Sequence, residues 1–235
     1  MTDALPRYDL DGTTAVITLD DGKANVFSSA VVEHLHSLLD QAEADGARAL
    51  VLVGRPGRFS AGFDLAEMTA SAESARSLVA AGARLWLRIY GLGIPTVAAC
   101  TGHALAGGAI TLLSCDLRIG AEVSAKIGLN EVAIGLVLPK FAMELARDRL
   151  DKRHFTAATI GAQVYDPAGA LEAGYLDQVV PEFELMETAL GEARRLGSLR
   201  TGAYAGAKAN ARAAMIAEVG AGIDADMASI DIPEV

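Results

Sequence analysis

Two short stretches of this chain pair small residues with a spacing that could hold an anion: Arg58-Phe59-Ser60-Ala61-Gly62-Phe63-Asp64-Leu65 and His103-Ala104-Leu105-Ala106-Gly107-Gly108-Ala109. Each follows an apolar, strand-like run (residues 49–53 and 96–100) and precedes a helix-like one. Glycine or alanine stands where the backbone must lie open, so the two loops can aim two main-chain N–H groups at one point. Two convergent donors are what a developing oxyanion needs, and each fixed donor is worth about 3–4 kcal/mol in a transition state. A single glycine pair after a strand is usually just a turn. Two of them in succession make the chemistry worth pursuing.

Other polar residues have simpler readings. His103 sits beside a loop, but no nucleophile or base recurs at a useful spacing around it. His34 and His36 are two apart on a helix and do not share a face, so neither a metal site nor a catalytic triad is expected. Asp64 stands where a helix begins and is expected to cap it; Asp116 is likewise read as structural, and Glu67 as a surface helix charge. Lys23, Arg55 and Arg58 are cations that could meet phosphates. Cys100 and Cys115 both lie in apolar runs and are expected as buried thiols, not a disulfide. Trp86, at helical spacing, is expected in the core.

The elements that must position the loops follow from periodicity. Residues 14–20 read as a strand ending in the turn Asp20-Asp21-Gly22. Ser28 or Ser29 can cap a helix bearing Val31, Val32, Leu35, Leu38, Leu39 and Ala42, and Asp45-Gly46 closes it. The run 49–53 is apolar throughout, as for a strand covered on both faces. A helix near 71–90, a strand at 95–100, a buried helix at 104–114 and a short strand at 116–119 follow. After Pro139 the pattern becomes helical: 141–150, 153–161, 167–173, 182–196 and 200–220. Alternating strands and helices favour an α/β class over α+β. The stretch from Ile89 to Cys115 carries few ionisable side chains, but its glycines and Pro95 mark it as strand, turn and buried helix, not a membrane span.

At 235 residues, half of them apolar, the chain can bury one sizeable core. Its formal net charge of −10 argues against a nucleic-acid footprint. It does not exclude a phosphorylated ligand, which a few local cations and helix N-termini can hold. The opening Met1-Thr2-Asp3-Ala4-Leu5-Pro6-Arg7 lacks a secretory signal pattern, which points to a cytoplasmic protein.

Four blocks together carry a family resemblance: Phe59–Leu65; Ala106-Gly107-Gly108 continuing to Ser114-Cys115-Asp116; Ile127-Gly128-Leu129-Asn130-Glu131; and Gly174-Tyr175-Leu176-Asp177-Gln178-Val179-Val180-Pro181. From about Thr14 to Glu184 the chain resembles the crotonase (enoyl-CoA hydratase/isomerase) superfamily, and within it the mitochondrial type of Δ3,Δ2-enoyl-CoA isomerase. The resemblance implies a crotonase-like α/β spiral of ββα units over residues 1–190. It also implies a C-terminal helical region, 191–235, for trimerisation and pocket capping. It implies an oxyanion hole from the N–H groups of Phe63 and Gly107, and Glu131 as the catalytic carboxylate. Ala61, Gly62, Asp64, Leu65 and Gly108 would line the acyl-CoA channel, and Lys23, Ala24 and Val26 would receive the adenine end of CoA.

The reaction so implied moves a 3-enoyl-CoA to the trans-2-enoyl-CoA in fatty acid β-oxidation, with no metal and no cofactor beyond the CoA of the substrate. The implied partners are the acyl-CoA thioester and further copies of the chain, as a homotrimer or dimer of trimers, with neither nucleic acid nor membrane. Hydratases carry a second acid two residues after the glycine pair, where this chain has Ile110. That departure favours the isomerase. A hydratase using Asp64 or Glu67 as an atypical second acid, and a non-catalytic acyl-CoA-binding protein, are the alternatives. Ala106 replaces a glycine found in many members, and is tolerable there if its φ is negative.

Overall fold

The computed structural model describes residues 4–229. The chain opens with β1 (Arg7–Asp11), β2 (Thr14–Leu19) and β3 (Val26–Phe27), then α1 (Ser29–Ala44). Next come β4 (Ala49–Gly54), β5 (Gly57–Ser60), β6 (Gly62–Phe63), α2 (Leu65–Ala70) and α3 (Ala72–Gly91). They are followed by β7 (Thr96–Cys100), β8 (Gly102–Leu105), α4 (Gly107–Ser114), β9 (Leu117–Ala121) and β10 (Ile127–Gly128). Thereafter helices dominate: α5 (Lys140–Arg149), α6 (Phe155–Thr159), α7 (Pro167–Ala173), the short β11 (Gln178–Val180), α8 (Leu185–Gly197) and α9 (Thr201–Ser229).

The main sheet runs β1-β2-β4-β7-β9-β11, parallel except for the β1–β2 hairpin. A second parallel sheet takes β10, β8 and β5, and β3 pairs with β6. Long strand, short strand and helix thus recur (β4-β5, β7-β8, β9-β10), each pair turning from one sheet into the other. This is the crotonase-like α/β spiral.

The continuous apolar run at 49–53 has a direct cause. Leu50 and Leu52 face the principal core, while Ala49, Val51 and Val53 face a second cluster closed by Leu185, Ala189 and Ala193 of α8. Both faces of the strand are covered, so no polar residue is tolerated on either. The boundary expected at residue 190 falls inside α8. α1 begins at Ser28, whose hydroxyl accepts from the Val31 amide, and buries the stripe read from its spacing.

Three expected elements differ. Residues 104 and 105, expected to open a helix, are the end of strand β8, which pairs with both β5 and β10; α4 starts only at Gly107. The helix expected at 153–161 is confined to Phe155–Thr159. The last helix continues past 220 to Ser229, and the terminal Ile230–Val235 segment lies outside the described residues. No described helix is long and apolar enough to cross a membrane.

α9 folds back over its own chain, packing on α3 and α5. Its anchor is Asp116, a structural residue as expected, but one that does more than cap. One carboxylate oxygen accepts from the Thr96 amide, the Tyr204 hydroxyl and Lys208 Nζ at 2.7–2.9 Å, and the other from Arg212 at 2.6 Å. Burial alone would raise this carboxyl, but Lys208 and Arg212 hold it below the ordinary carboxylate range. The Lys208 ammonium is nonetheless drawn down, because its own desolvation outweighs a carboxylate it shares. At the far end of the helix, Asp226 accepts from the Lys140 amide at the start of α5.

Replacing Asp116 with Asn strands two buried cations, and is expected to cost about 3–5 kcal/mol in chemical denaturation. Because the folded carboxyl is held low, its contribution is present above the ordinary aspartate range and is lost as pH falls below it. The difference between wild type and Asp116→Asn should therefore shrink on acidification through that range.

Candidate active site

The two small-residue loops meet. A Cβ placed on Gly62 would lie 2.9 Å from the Ala106 methyl and 3.0 Å from the Gly107 nitrogen. Gly62 itself has φ +94, so the close approach and the backbone turn both require glycine there. Gly108 is equally constrained, since a Cβ would fall 2.3 Å from the Ser60 carbonyl oxygen. Gly107 is the first residue of α4, where a backbone N–H has no intrahelical acceptor, and Ala106 brings no side-chain cap. Phe63 ends the short β6 immediately before Asp64, whose carboxylate caps α2 by accepting from the Glu67 amide.

The segment holding Lys23, Ala24 and Val26 lies against the first loop. Ala24 accepts from the Ala61 amide, and Val26 pairs with Gly62. What fastens it is Asn25, buried with φ +55, whose side-chain amide donates to the carbonyls of Leu19, Arg58 and Phe59. Asparagine tolerates this left-handed conformation better than most residues, and its position in Lys23-Ala24-Asn25-Val26 was the only sequence signal for that role. Leu65, at the start of α2, is 72% exposed.

Trp86 holds both loops from below. Its ring lies 5.3 Å from that of Phe63, 5.6 Å from Phe27 and 5.7 Å from Phe141. Its indole N–H donates to the Thr111 hydroxyl, which donates to the Gly107 carbonyl. Gly82 makes room for the arrangement, because a Cβ there would strike the Phe63 ring at 2.7 Å.

Glu131 follows β10, which is bonded to the second loop: the Ala106 amide donates to the Gly128 carbonyl. Its own carbonyl accepts from the Ile134 and Leu136 amides, closing a tight turn over Val132–Ile134. The side chain is half-buried, and its Oε2 is enclosed without a hydrogen-bond partner. Burial pushes this carboxyl up to about 7, only partly opposed by its own backbone amide. The neighbouring Asn130 Oδ1 is also enclosed and unpartnered, and borders a cavity of about 410 Å³ with Leu105, Lys126 and Tyr165.

The family described as Enoyl-CoA hydratase/isomerase matches residues 9–230. The chain belongs to it. It is 34% identical to human mitochondrial enoyl-CoA delta isomerase 1 over 190 residues, covering 79% of this chain and 63% of that protein. It is 40% identical to a probable enoyl-CoA hydratase of Bacillus subtilis over 136 residues, covering 57% and 52%. The chain thus spans less than two thirds of these relatives. A crystal structure of an enoyl-CoA hydratase/isomerase family protein from Pseudomonas syringae superimposes with TM-score 0.94 at 42% identity, covering 97% of this chain and 98% of that one.

Within this hydratase/isomerase family, the discriminating position remains apolar: Ile110 is buried in α4. The two acids considered as substitutes are both occupied. Asp64 caps α2, and Glu67 accepts from the amide and hydroxyl of Ser29, so it ties α2 to the start of α1 instead of standing free on the surface. His103 accepts from the Lys126 amide, and burial with Arg58 and Lys126 nearby keeps its pKa low. His34 meets the Pro6 carbonyl, and His36 sits with Arg88. No group of side chains that could hold a metal ion occurs among the described residues.

Ala106 departs from expectation. Its φ is +48 with ψ −119, not negative, so a methyl is carried in a conformation that glycine adopts freely. Such strain costs about 1–3 kcal/mol, against roughly 0.5–1 kcal/mol of chain entropy that alanine saves relative to glycine. Ala106→Gly is therefore expected to be neutral or stabilising by about 1 kcal/mol in thermal unfolding. Gly108→Ala, which drives a methyl into the Ser60 carbonyl, is expected to destabilise strongly; the reverse ranking would contradict this backbone.

Glu131 makes a second prediction. Its folded pKa lies above the ordinary value of 4.5, so its ionisation works against folding as pH rises from there to about 7. Glu131→Gln should leave stability nearly unchanged at pH 4 and raise it at pH 8, by up to about 3 kcal/mol. A variant less stable than wild type at pH 8 would contradict the unpaired burial of this carboxylate.

Proposed function

We propose that this protein is an enoyl-CoA isomerase that converts a 3-enoyl-CoA to the trans-2-enoyl-CoA, with Glu131 as the proton shuttle. The observation that carries the reading is the one enclosed, unpartnered carboxylate oxygen among the described residues, that of Glu131, on the segment bonded to the second loop, while position 110 is apolar and both Asp64 and Glu67 are engaged.

The thioester oxygen accepts from the N–H groups of Phe63 and Gly107. As the Glu131 carboxylate takes a proton from C2, the electron pair spreads over C2–C4 and the thioester oxygen, and the two amides stabilise the resulting dienolate. Protonated Glu131 then returns the proton to C4, leaving the double bond between C2 and C3. One carboxylate suffices, because both transfers occur on one face of the dienolate. A base titrating near 7 suits both halves of the cycle, since it is ionised often enough to accept and acidic enough to give the proton back.

Ala61, Gly62, Asp64, Leu65 and Gly108 form the thioester channel in this reading, and Lys23, Ala24 and Val26 receive the adenine end of CoA. The exposed apolar side chains of Leu65, Val132, Ile134 and Val137 beside the site support assembly with further copies of the chain, as a trimer or a dimer of trimers.

Absorbance with trans-3-hexenoyl-CoA, run beside crotonyl-CoA in water, tests the reading. Conjugation with the thioester raises the ultraviolet band; hydration of crotonyl-CoA lowers it. A rise with the first and no change with the second is expected, and Glu131→Gln should cut the rise at least ~100-fold while leaving acyl-CoA affinity near wild type. A fall with crotonyl-CoA would establish hydration and a second acid. Binding without conversion would establish a non-catalytic acyl-CoA-binding protein, and retained turnover in Glu131→Gln would remove its assigned role.

A further inference from the structure

The enclosed side-chain polar atoms without hydrogen-bond partners among the described residues include Asn130 Oδ1, Glu131 Oε2 and the hydroxyl of Tyr175, whose phenol meets the backbone of Leu129 and feels the charge of Glu131. Tyr175 lies 44 residues beyond Glu131 and is fully buried. It is turned inward by Gly174, whose φ of +89 ends α7 and whose carbonyl accepts from Arg118. A Cβ on Gly174 would lie 2.9 Å from the Arg149 carbonyl oxygen, so this turn has little freedom to move.

The ring of Tyr175 packs 6.0 Å from that of Tyr165, which is itself paired through its backbone with Ile127 of β10. The phenol thus lies behind the strand that leads to Glu131. A buried phenol with no acceptor for its proton is a costly arrangement, as is a buried carboxylate oxygen with no donor. Here the phenol lies against the Leu129 backbone, two residues before Glu131. Burial raises the Tyr175 phenol far above its usual range; the Leu129 backbone opposes this, while the Glu131 charge and Tyr165 add to it.

We infer that Tyr175 is a positioning residue for Glu131, its hydroxyl donating to the carboxylate when Glu131 is ionised. It touches no reacting atom in this role. Donation to the charged form favours ionisation and limits how far burial can push the carboxyl up. It also orients Oε2, leaving the other oxygen for the substrate. The inference rests on Glu131 being the working carboxylate. The other groups around the pair are Tyr165, His154 with its ring tilted against that of Tyr165, and Lys126 and Asp166 on the adjoining cavity.

The test is a ¹³C titration of the Glu131 carboxyl in the full-length protein, assigned by its disappearance in Glu131→Gln. Tyr175→Phe removes only the hydroxyl, and should move the Glu131 pKa upward by about one unit. Tyr165→Phe should leave it in place. The acidic limb of the kcat profile on trans-3-hexenoyl-CoA should move with it, with KM little changed. If Tyr175→Phe does not fold, 3-fluorotyrosine at position 175, a stronger donor in the same shape, should move the Glu131 titration downward. A Glu131 titration indifferent to both replacements, or shifted equally by Tyr165→Phe, would overturn the inference. A shifted titration without any turnover of 3-enoyl-CoA would uphold it and overturn the isomerase reading instead.

Discussion

The architecture of the site depends on one indole. Trp86 reaches from the middle of α3 into the space where β3, β6, α4 and α5 converge, and touches a residue of each: Phe27, Phe63, Gly107 and Phe141. Two loops about forty residues apart are thereby referred to one rigid body. The contact to the first is dispersion and ring packing against Phe63, and the contact to the second is a relay of hydrogen bonds through Thr111 to the Gly107 carbonyl. The relay fixes the direction of the first peptide of α4 as well as its position. Small residues do the complementary work. Gly62, Gly82, Gly107 and Gly108 stand where any Cβ would separate the parts that Trp86 draws together.

Against that frame, the chain buries two carboxylates in opposite ways. Asp116 has two cations, a phenol and a backbone amide, and its carboxyl is held below the ordinary aspartate range; it locks α9 onto the core. Glu131 has one oxygen without any partner and is driven up to about 7. A carboxylate as well satisfied as Asp116 would be useless as a base, because the interactions that hold its charge would have to be broken at each proton transfer. A carboxylate as poorly satisfied as Glu131 weakens the fold around it. The satisfied cluster lies where α9 is locked onto the core, and the unsatisfied one where the proposed reaction exchanges a proton.

Much of this was legible in the sequence, and the reasons differ by element. Helix α1 showed itself through its apolar stripe and its serine cap, and β4 through an unbroken apolar run. The two small-residue loops and Glu131 were visible as motifs; the fold brings the loops together at Gly62 and Ala106, and ties the second to the segment of Glu131 through the Ala106–Gly128 hydrogen bond. β8 was not legible, because four residues of glycine, histidine, alanine and leucine show no period, and their strand character comes from β5 and β10 on either side. Asn25 and Tyr175 were hidden for a related reason. The Asn25 amide bonds carbonyls more than thirty positions away and the Tyr175 ring packs in the interior against Tyr165, and side-chain type alone names no partner. The glycine position occupied by Ala106 raised the question of its φ, but the sign was not legible, since an alanine methyl ordinarily keeps the backbone at negative φ.

That strained alanine bears on the divergence between the two chemistries of the family. The hydratase pattern sets an acid in the first turn of α4; this chain places the buried Ile110 at that point and a methyl at Ala106, next to Gly62. Both side chains add apolar volume beside the loops. In the proposed reaction, a dienolate formed there recovers its proton from the carboxylate that took it. An apolar residue at position 110 then does more than withhold a second acid: it confines the proton to Glu131, so that the oxyanion loops of this reading support a transfer between two carbons of one chain.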